Sequence, residues 1–497
     1  MATTHTTTGN STEQSEVNPY AAQTFAPVTE ELTLTELQVS GSIPKHLDGR
    51  YVRNGPNPVA QIDPHTYHWF MGDGMVHGVR LRDGKAEWYR NRWVRGPRAA
   101  RALGEPRRGG RLRAGIEAIG ANTHVIAQNG RTIALVEGGN ACHELTEKHD
   151  TIGSWDADAT LSGGYTPHPK RDPDSGELHA VSYHFGRGNT VRYSVIGADG
   201  RARRAVDITV GGSPMMHDFA LTQNHVVFLD LPVTFNPRAA AAAMMPAPLR
   251  MPAQLVLSAI IGRIRIPDPI TALAGRGIRA NGDYPYRWNP RYPARIGVMP
   301  REGTNRDVRW FDIEPCYVFH TLNAYDETNG IILDVVRHPK TFDTDTHGPN
   351  EGPPSLERWT INLTTGTVTQ QPLAHPGQEF PRIDERRIGR HHRYGYTLSI
   401  REDQVQHPAA LLKHDLQTHT ITTRDFGPGH EPGEFVFQPN SPTSNEDDGV
   451  LMGFVHNHTT DRADLTLLDA ATLDTIATVH LPVRIPRGFH GNWLPTT

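Results

Sequence analysis

The chain of 497 residues carries 27 histidines but only two cysteines, Cys142 and Cys316. Imidazole is the usual ligand for a borderline transition metal. Two cysteines far apart in sequence supply neither a disulfide framework nor a thiolate cluster. Four histidines stand singly in unusual contexts: His168 in YTPHPKRDP, His217 in MMHDFALT, His320 in YVFHTLNAY and His490 in RGFHGNW. Their separations of 49, 103 and 170 residues do not suit a zinc finger. A propeller, in which one residue per blade can project toward a central axis, accommodates them. By spacing alone, four ordinary histidines remain the better reading.

Other routes to chemistry are missing. The sequence has no GxSxG elbow, no Walker loop, no HExxH and no strand followed by GxGxxG and a helix. Local clusters have structural explanations. His391 and His392 are adjacent and point apart on a strand, whereas His456 and His458 share one strand face near a polar turn and are expected to be exposed. Asp343 and Asp345 in TFDTDTH lack the glycine and distal glutamate of a calcium loop.

The elements that would have to position the four histidines read as mostly β. Forty-seven glycines and 39 prolines divide the chain into short pieces that alternate apolar and polar residues. Turn signals at Gly84, Gly130, Gly200, Gly366 and Gly449 have strand patterns on both sides. A succession of hairpins with few crossover helices fits a closed, repetitive all-β architecture such as a propeller. Seven blades would use about 67 residues each, more than compact repeats need, so long loops must leave them.

No linker divides the chain, so a single domain is expected over 28–497, after a polar tail at 1–27 with neither the basic start nor the apolar run of a signal peptide. Nowhere is there an apolar run long enough for a membrane span. The formal charge of −4 disfavours nucleic acid, and the scarcity of cysteine fits a cytoplasmic, reducing setting.

One stretch departs from this pattern. Residues 238–280 hold six arginines and one aspartate, with Leu255, Leu257, Ile260, Ile261, Ile264 and Ile266 among them. Two readings stand side by side: a segment lying in the headgroup plane of a membrane, with its arginines on anionic lipid, and a helical lid packed on its own protein.

At the four histidines the sequence resembles the carotenoid cleavage oxygenases, a group that includes apocarotenoid oxygenases, lignostilbene dioxygenases and a retinoid isomerase. The matches run in order along nearly the whole chain: GSIPKHLDGRYVRNGPNP at 41–58, HWFMGDGMVHG at 68–78, WYRNRWVR at 88–95, ALVEGG at 134–139, HPKRDP at 168–173, HDFALT at 217–222, FHTLNAY at 319–325 and GFHGNW at 488–493. The resemblance implies a seven-bladed β-propeller with a loop and helix dome over one face. On its axis would sit one non-haem Fe(2+), held by His168, His217, His320 and His490, with O2 as co-substrate. Three glutamates would accept hydrogen bonds from the ligands' outer nitrogens: Glu137 from His217, Glu379 from His320 and Glu434 from His490. Such acceptors fix the ring and its tautomer.

The function implied is oxidative cleavage of a carotenoid or apocarotenoid double bond into two carbonyl products, which requires no protein nucleophile. The apolar polyene would lie in a tunnel for which Phe70, Trp93, Val136 and Phe319 are candidates. Stilbene-cleaving relatives grip a phenol with a Tyr and a Lys, where this chain aligns Trp93 and Val136, favouring an apolar substrate. The alternatives are stilbenoid cleavage, polyene isomerisation, zinc hydrolysis and, in a different class, a non-catalytic propeller that binds lipid or protein. No protein partner is implied.

Overall fold

A computed structural model describes residues 18–106, 114–116, 119–275, 284–349, 351–374, 377–400 and 408–496. Residues 1–17 of the expected tail and 276–280 of the arginine-containing segment lie outside these.

The hairpin reading holds in detail. Between the strands His124–Gln128 and Arg131–Leu135, Asn129 and Gly130 have φ of 50° and 69°. Asp83 and Gly84, at 50° and 74°, join Gly74–Arg82 to Lys85–Trp93 in the same way. Two consecutive positive φ values match the right-handed strand twist, and Asn-Gly and Asp-Gly reach them at little cost.

Seven antiparallel sheets of four to six strands follow one another along the chain, and they are the seven blades of a β-propeller. Blades two to six are built from residues 124–155, 170–209, 220–312, 317–372 and 378–425. Blades one and seven are completed by distant sequence. Gly491–Pro495 pairs with Gly49–Pro56 on the inner edge of blade one, Arg53 opposite Gly491. Gln38–Gly41 joins Thr475–His480 on the outer edge of blade seven, Gln38 opposite His480. Each exchange covers a strand edge that would otherwise be open, and the first one brings His490 to the ring. The cores between blades are apolar, from Val227, Ile296 and Leu333 on one side to Leu465, Leu467 and Val479 on the other.

Two expectations need correction. Residues 18–27, assigned to the tail, are packed: Tyr20 and Phe25 are buried and sit against Trp69, with ring centroids 5.8 and 5.1 Å away. Local polarity hides this, because only two aromatics mark the stretch and the other buried residues, Asn18 and Thr24, are polar. His456, expected to be exposed, is buried, with its ring 4.8 Å from that of His458, which pairs with Glu431. His391 is exposed and His392 buried, but they precede the strand Tyr394–Ile400 and both rings lie by Tyr325, at 5.2 and 6.0 Å. Glu351 accepts from the backbone N–H groups of Asp343, Thr344 and Asp345, which closes that loop on itself.

The arginine-containing segment forms three helices, Pro237–Met244, Arg250–Ile260 and Asp268–Gly275. Ala239, Ala240, Ala241 and Ala243 are buried, whereas Leu249, Met251, Leu255, Val256, Ile264 and Leu273 are each more than half exposed.

Candidate metal centre

Every blade contributes one residue to a ring on the axis. His490 immediately precedes the closing strand of blade one, and Glu137 follows the second strand of blade two. His168 and His217 precede the innermost strands of blades three and four. His320 lies in the first strand of blade five, Glu379 in that of blade six, and Glu434 between the short inner strands of blade seven. Register shifts at Val318 to Asn323 and at Glu379 to Arg382 break the ladder where His320 and Glu379 turn inward, the use to which bulges are commonly put.

The four imidazoles converge. His168 Nε2 and His217 Nε2 are 2.9 Å apart, and His168, His217 and His320 each offer a nitrogen within 4.8 Å of the others. The His490 ring is 4.7 Å from His168 and 4.8 Å from His320, centroid to centroid. Glu137 Oε2 accepts from His217 Nδ1 at 2.6 Å, Glu379 Oε2 from His320 Nδ1 at 2.7 Å, and Glu434 Oε1 from His490 Nδ1 at 3.0 Å.

These contacts decide the tautomers. A carboxylate can only accept, so the proton of His217, His320 and His490 sits on Nδ1 and each Nε2 presents a lone pair inward. Buried His320 Nε2 has no hydrogen-bond partner among the described residues. The inward lone pairs of His217, His320 and His490 repel one another unless a cation lies between them, and His168 Nε2, 2.9 Å from His217 Nε2, completes the set. The donor set therefore fits a divalent transition metal, with three carboxylates balancing its charge from the second layer.

The electrostatics follow from burial and pairing. Burial, then the neighbouring histidines, hold His168 well below the usual imidazole range. Burial also lowers His490, outweighing Glu434. For His320 burial is overcome by Glu379, and the net shift is upward. Burial would raise Glu379, but His320 and His338 hold it well below the carboxylate range. Arg382 and His490 likewise bring Glu434 down to about 2.

Above the ring opens a cavity of about 380 Å³, bordered at its base by Glu137, His217, His320, Glu379 and His490. Phe70, Val136, Phe319 and Phe489 form its walls and the three helices its roof, through Ala240, Met244, Leu257, Ile260 and Ile270. Below the ring, on the side of Lys170, Asp218 and Arg382, lies a smaller polar cavity of about 100 Å³.

The family model described as retinal pigment epithelial membrane protein, RPE65, matches residues 25–495. A carotenoid cleavage oxygenase of Mycobacterium tuberculosis is 57% identical over 97% of this chain and 98% of its own. The chain belongs to the carotenoid cleavage oxygenase family. Among solved structures, Pseudomonas brassicacearum lignostilbene dioxygenase superposes with a TM-score of 0.79 at 26% identity, covering 96% of this chain and 98% of that one. Cobalt-substituted Synechocystis apocarotenoid oxygenase gives 0.76 at 28%, covering 95% and 97%. Near-full-length identity of 57% to a carotenoid cleavage oxygenase makes the protein an oxygenase, and the second structure is of a cobalt-substituted protein.

Within this carotenoid oxygenase framework, Phe70, Val136 and Phe319 reach the cavity as expected candidates, but Trp93 does not. Its indole N–H donates to the Asn57 carbonyl at 2.8 Å, in the interior of blade one. The substrate argument built on Trp93 therefore falls, while Val136 remains at the wall.

Several contributors carried no motif. His338 Nε2 donates to Glu379 Oε1 at 2.9 Å, and Tyr183 donates to Glu137 Oε2 at 2.9 Å. Arg382 lies 3.5 Å from Glu434 Oε2, which also accepts from the Gly491 N–H at 2.7 Å. Their only sequence signal is polarity inside otherwise apolar strands, as in VVRHP and VSYHF.

Proposed function

We propose that the protein is a ferrous-iron dioxygenase that cleaves a C=C bond of a carotenoid or apocarotenoid into two carbonyl products. One observation carries the reading: a ring of imidazoles, three of them oriented by carboxylates, opens onto the floor of a largely apolar cavity. His168, His217, His320 and His490 would hold the iron, and Glu137, Glu379 and Glu434 would orient three of them. When bound, ferrous iron supplies the one-electron chemistry toward dioxygen that no side chain here has.

The remaining work belongs to the protein. Phe70, Phe319 and Phe489 form a dry aromatic wall that excludes water and lays an extended polyene across the imidazole ring. Among the described residues no group near the cavity floor is placed as nucleophile, and cleavage to two carbonyls does not call for one. Stilbenoid cleavage stands as the second reading, favoured by the superposition on lignostilbene dioxygenase.

The exposed apolar residues of 249–273 support a further part of the reading, uptake of the polyene from a lipid surface. Leu249, Met251, Leu255 and Val256 face outward on the same helices that roof the cavity, while among the described residues no helix is long and apolar enough to cross a membrane. Such a face suits insertion to headgroup depth.

The test is incubation of the iron-loaded protein with a panel of carotenoids, apocarotenals and hydroxystilbenes, with products identified by mass. Aldehyde pairs from polyenes alone support the reading, stilbene cleavage alone replaces the substrate class, and no cleavage by a protein retaining about one iron per chain rejects the activity.

A further inference from the structure

The cavity wall is mostly apolar, and one part of it is built of tyrosines. Tyr183, Tyr284 and Tyr286 border it together beside Glu137, with the Tyr286 ring centroid 5.6 Å from each of the other two. Two of these hydroxyls are engaged: Tyr183 donates to Glu137 Oε2 at 2.9 Å, and Tyr284 reaches the Met215 sulfur at 3.5 Å. The Tyr286 ring is 4% exposed, yet its hydroxyl has no hydrogen-bond partner among the described residues. Nothing about the imidazole ring requires it, since Tyr183 already fills the second contact on Glu137 Oε2.

A ligand that covers this phenol in the cavity without pairing it incurs the cost of burying a bare hydroxyl. Burial and the charge of Glu137 both raise its pKa, so it stays protonated and can donate. The same carboxylate sets a sign condition: a second anion brought to this wall would be repelled at short range in a low-dielectric site.

We propose that Tyr286 is a specificity-determining residue, its hydroxyl donating a hydrogen bond to a neutral oxygen, carbonyl or hydroxyl, on the end of the bound polyene. This rests on the cleavage reading above and deepens it. The cavity then distinguishes polyenes by their ends, taking an aldehyde or alcohol in preference to a hydrocarbon and excluding a carboxylate. A site that pairs an oxygen rejects analogues lacking it, because its own polar group is left unpaired.

The experiment uses the full-length, iron-loaded protein and four polyenes of matched length, ending in an aldehyde, an alcohol, a carboxylate or a methyl group. Binding is read by quenching of protein fluorescence and turnover by kcat/KM. The parent should bind the aldehyde and alcohol at least tenfold more tightly than the other two. Tyr286→Phe should remove the preference over the hydrocarbon, chiefly in Kd and KM, leaving the hydrocarbon within twofold and the carboxylate still excluded by Glu137; Tyr284→Phe controls for general damage to the wall. The aldehyde and alcohol arms separate an acceptor-only contact from one that also uses a substrate O–H. Cleavage of all four polyenes without preference overturns the role of Tyr286 and leaves the cleavage reading intact. Preferential binding without cleavage, abolished in Tyr286→Phe, upholds Tyr286 and rejects the cleavage reading. A Tyr286→Phe protein that keeps the full preference overturns the proposal.

Discussion

Asp218 holds Thr321 twice, its Oδ2 accepting from the Thr321 backbone N–H at 2.8 Å and from its hydroxyl at 2.9 Å. Lys170 Nζ meets the same carboxylate at 2.9 Å. Asp218 follows His217 directly, Thr321 follows His320, and Lys170 lies two residues beyond His168. One buried carboxylate thus fixes three ligand-bearing segments from three blades relative to each other. None of the three touches the axis itself.

Asp218→Asn should therefore loosen the ring without removing a ligand. The amide keeps one acceptor, but its NH2 opposes either the Thr321 donors or Lys170, and the charge that holds Lys170 is gone. A loss of about 2 kcal/mol in unfolding free energy is expected, together with lower iron retention. Denaturant unfolding and metal analysis check both, and an unaltered variant would show that the ring needs no such tie.

The three glutamates should respond unequally to Gln. Both oxygens of Glu379 accept, Oε1 from His338 and Oε2 from His320. Both oxygens of Glu434 accept as well, from His490 and from the Gly491 N–H. An amide cannot satisfy either pattern. At Glu137 the two donors, His217 and Tyr183, share Oε2, so the amide oxygen can serve both while NH2 takes the other place. Losses of roughly 10–100-fold in iron affinity are expected for Glu379→Gln and Glu434→Gln, with Glu137→Gln the mildest. Calorimetric titration with Fe(2+) under nitrogen ranks them, and His217→Ala, which should abolish binding, sets the floor.

This inequality also shows how far the sequence could be read. His168, His217, His320, His490 and their glutamates each sit inside a short local motif, and the structure brings all seven to one axis. His338 and Tyr286 lack such a signal, because which side chain of a strand meets a neighbouring blade depends on inter-blade packing rather than on local pattern. Trp93 fails for the same reason in reverse. It lies within the family motif WYRNRWVR, yet the register of Met75 opposite Trp93 turns it into blade one. The hairpins announce the blades through Asn129-Gly130 and Asp83-Gly84. The strands at 38–41 and 491–495, which complete blades seven and one, are specified only by partners more than 400 residues away.

Acid should destabilise the fold through buried histidines remote from the ring. Burial, and for His179 and His392 adjacent charges as well, lowers His179, His392 and His414 to about 4. In the unfolded chain these groups titrate near 6.5, so between pH 6.5 and about 4 the unfolded state binds protons that the folded state refuses. Stability is therefore full above that window and is lost as pH falls through it, by up to about 1.4 kcal/mol per pH unit for each group. His414, bonded to the Thr397 hydroxyl at 2.9 Å, gives the cleanest test. Glutamine there keeps a hydrogen-bonding side chain but cannot titrate, so His414→Gln should flatten the slope of unfolding free energy against pH. An unchanged slope would mean that His414 contributes nothing to the acid response.

Membrane contact should depend on the outer face of the helical roof, and the structure dictates which residues to change. Ile260 and Ile261 border the cavity, whereas Leu255 and Val256 are 66% and 59% exposed. Serine at Ile260 and Ile261 would confound docking with substrate binding, so the informative variant is Leu255→Ser with Val256→Ser. Arg250, Arg263 and Arg265 flank the apolar face, and their attraction to anionic headgroups should be screened by salt. Co-sedimentation with vesicles containing phosphatidylserine should be strong for the parent at low salt, weaker at 0.5 M salt on the order of the screening expected, and weak for the double variant at either. Turnover of a detergent-solubilised polyene should be the same for parent and variant, because the substitutions leave the cavity wall untouched. Equal sedimentation of parent and variant, or none for either, would remove lipid uptake from the proposed function and leave the oxygenase chemistry unaffected.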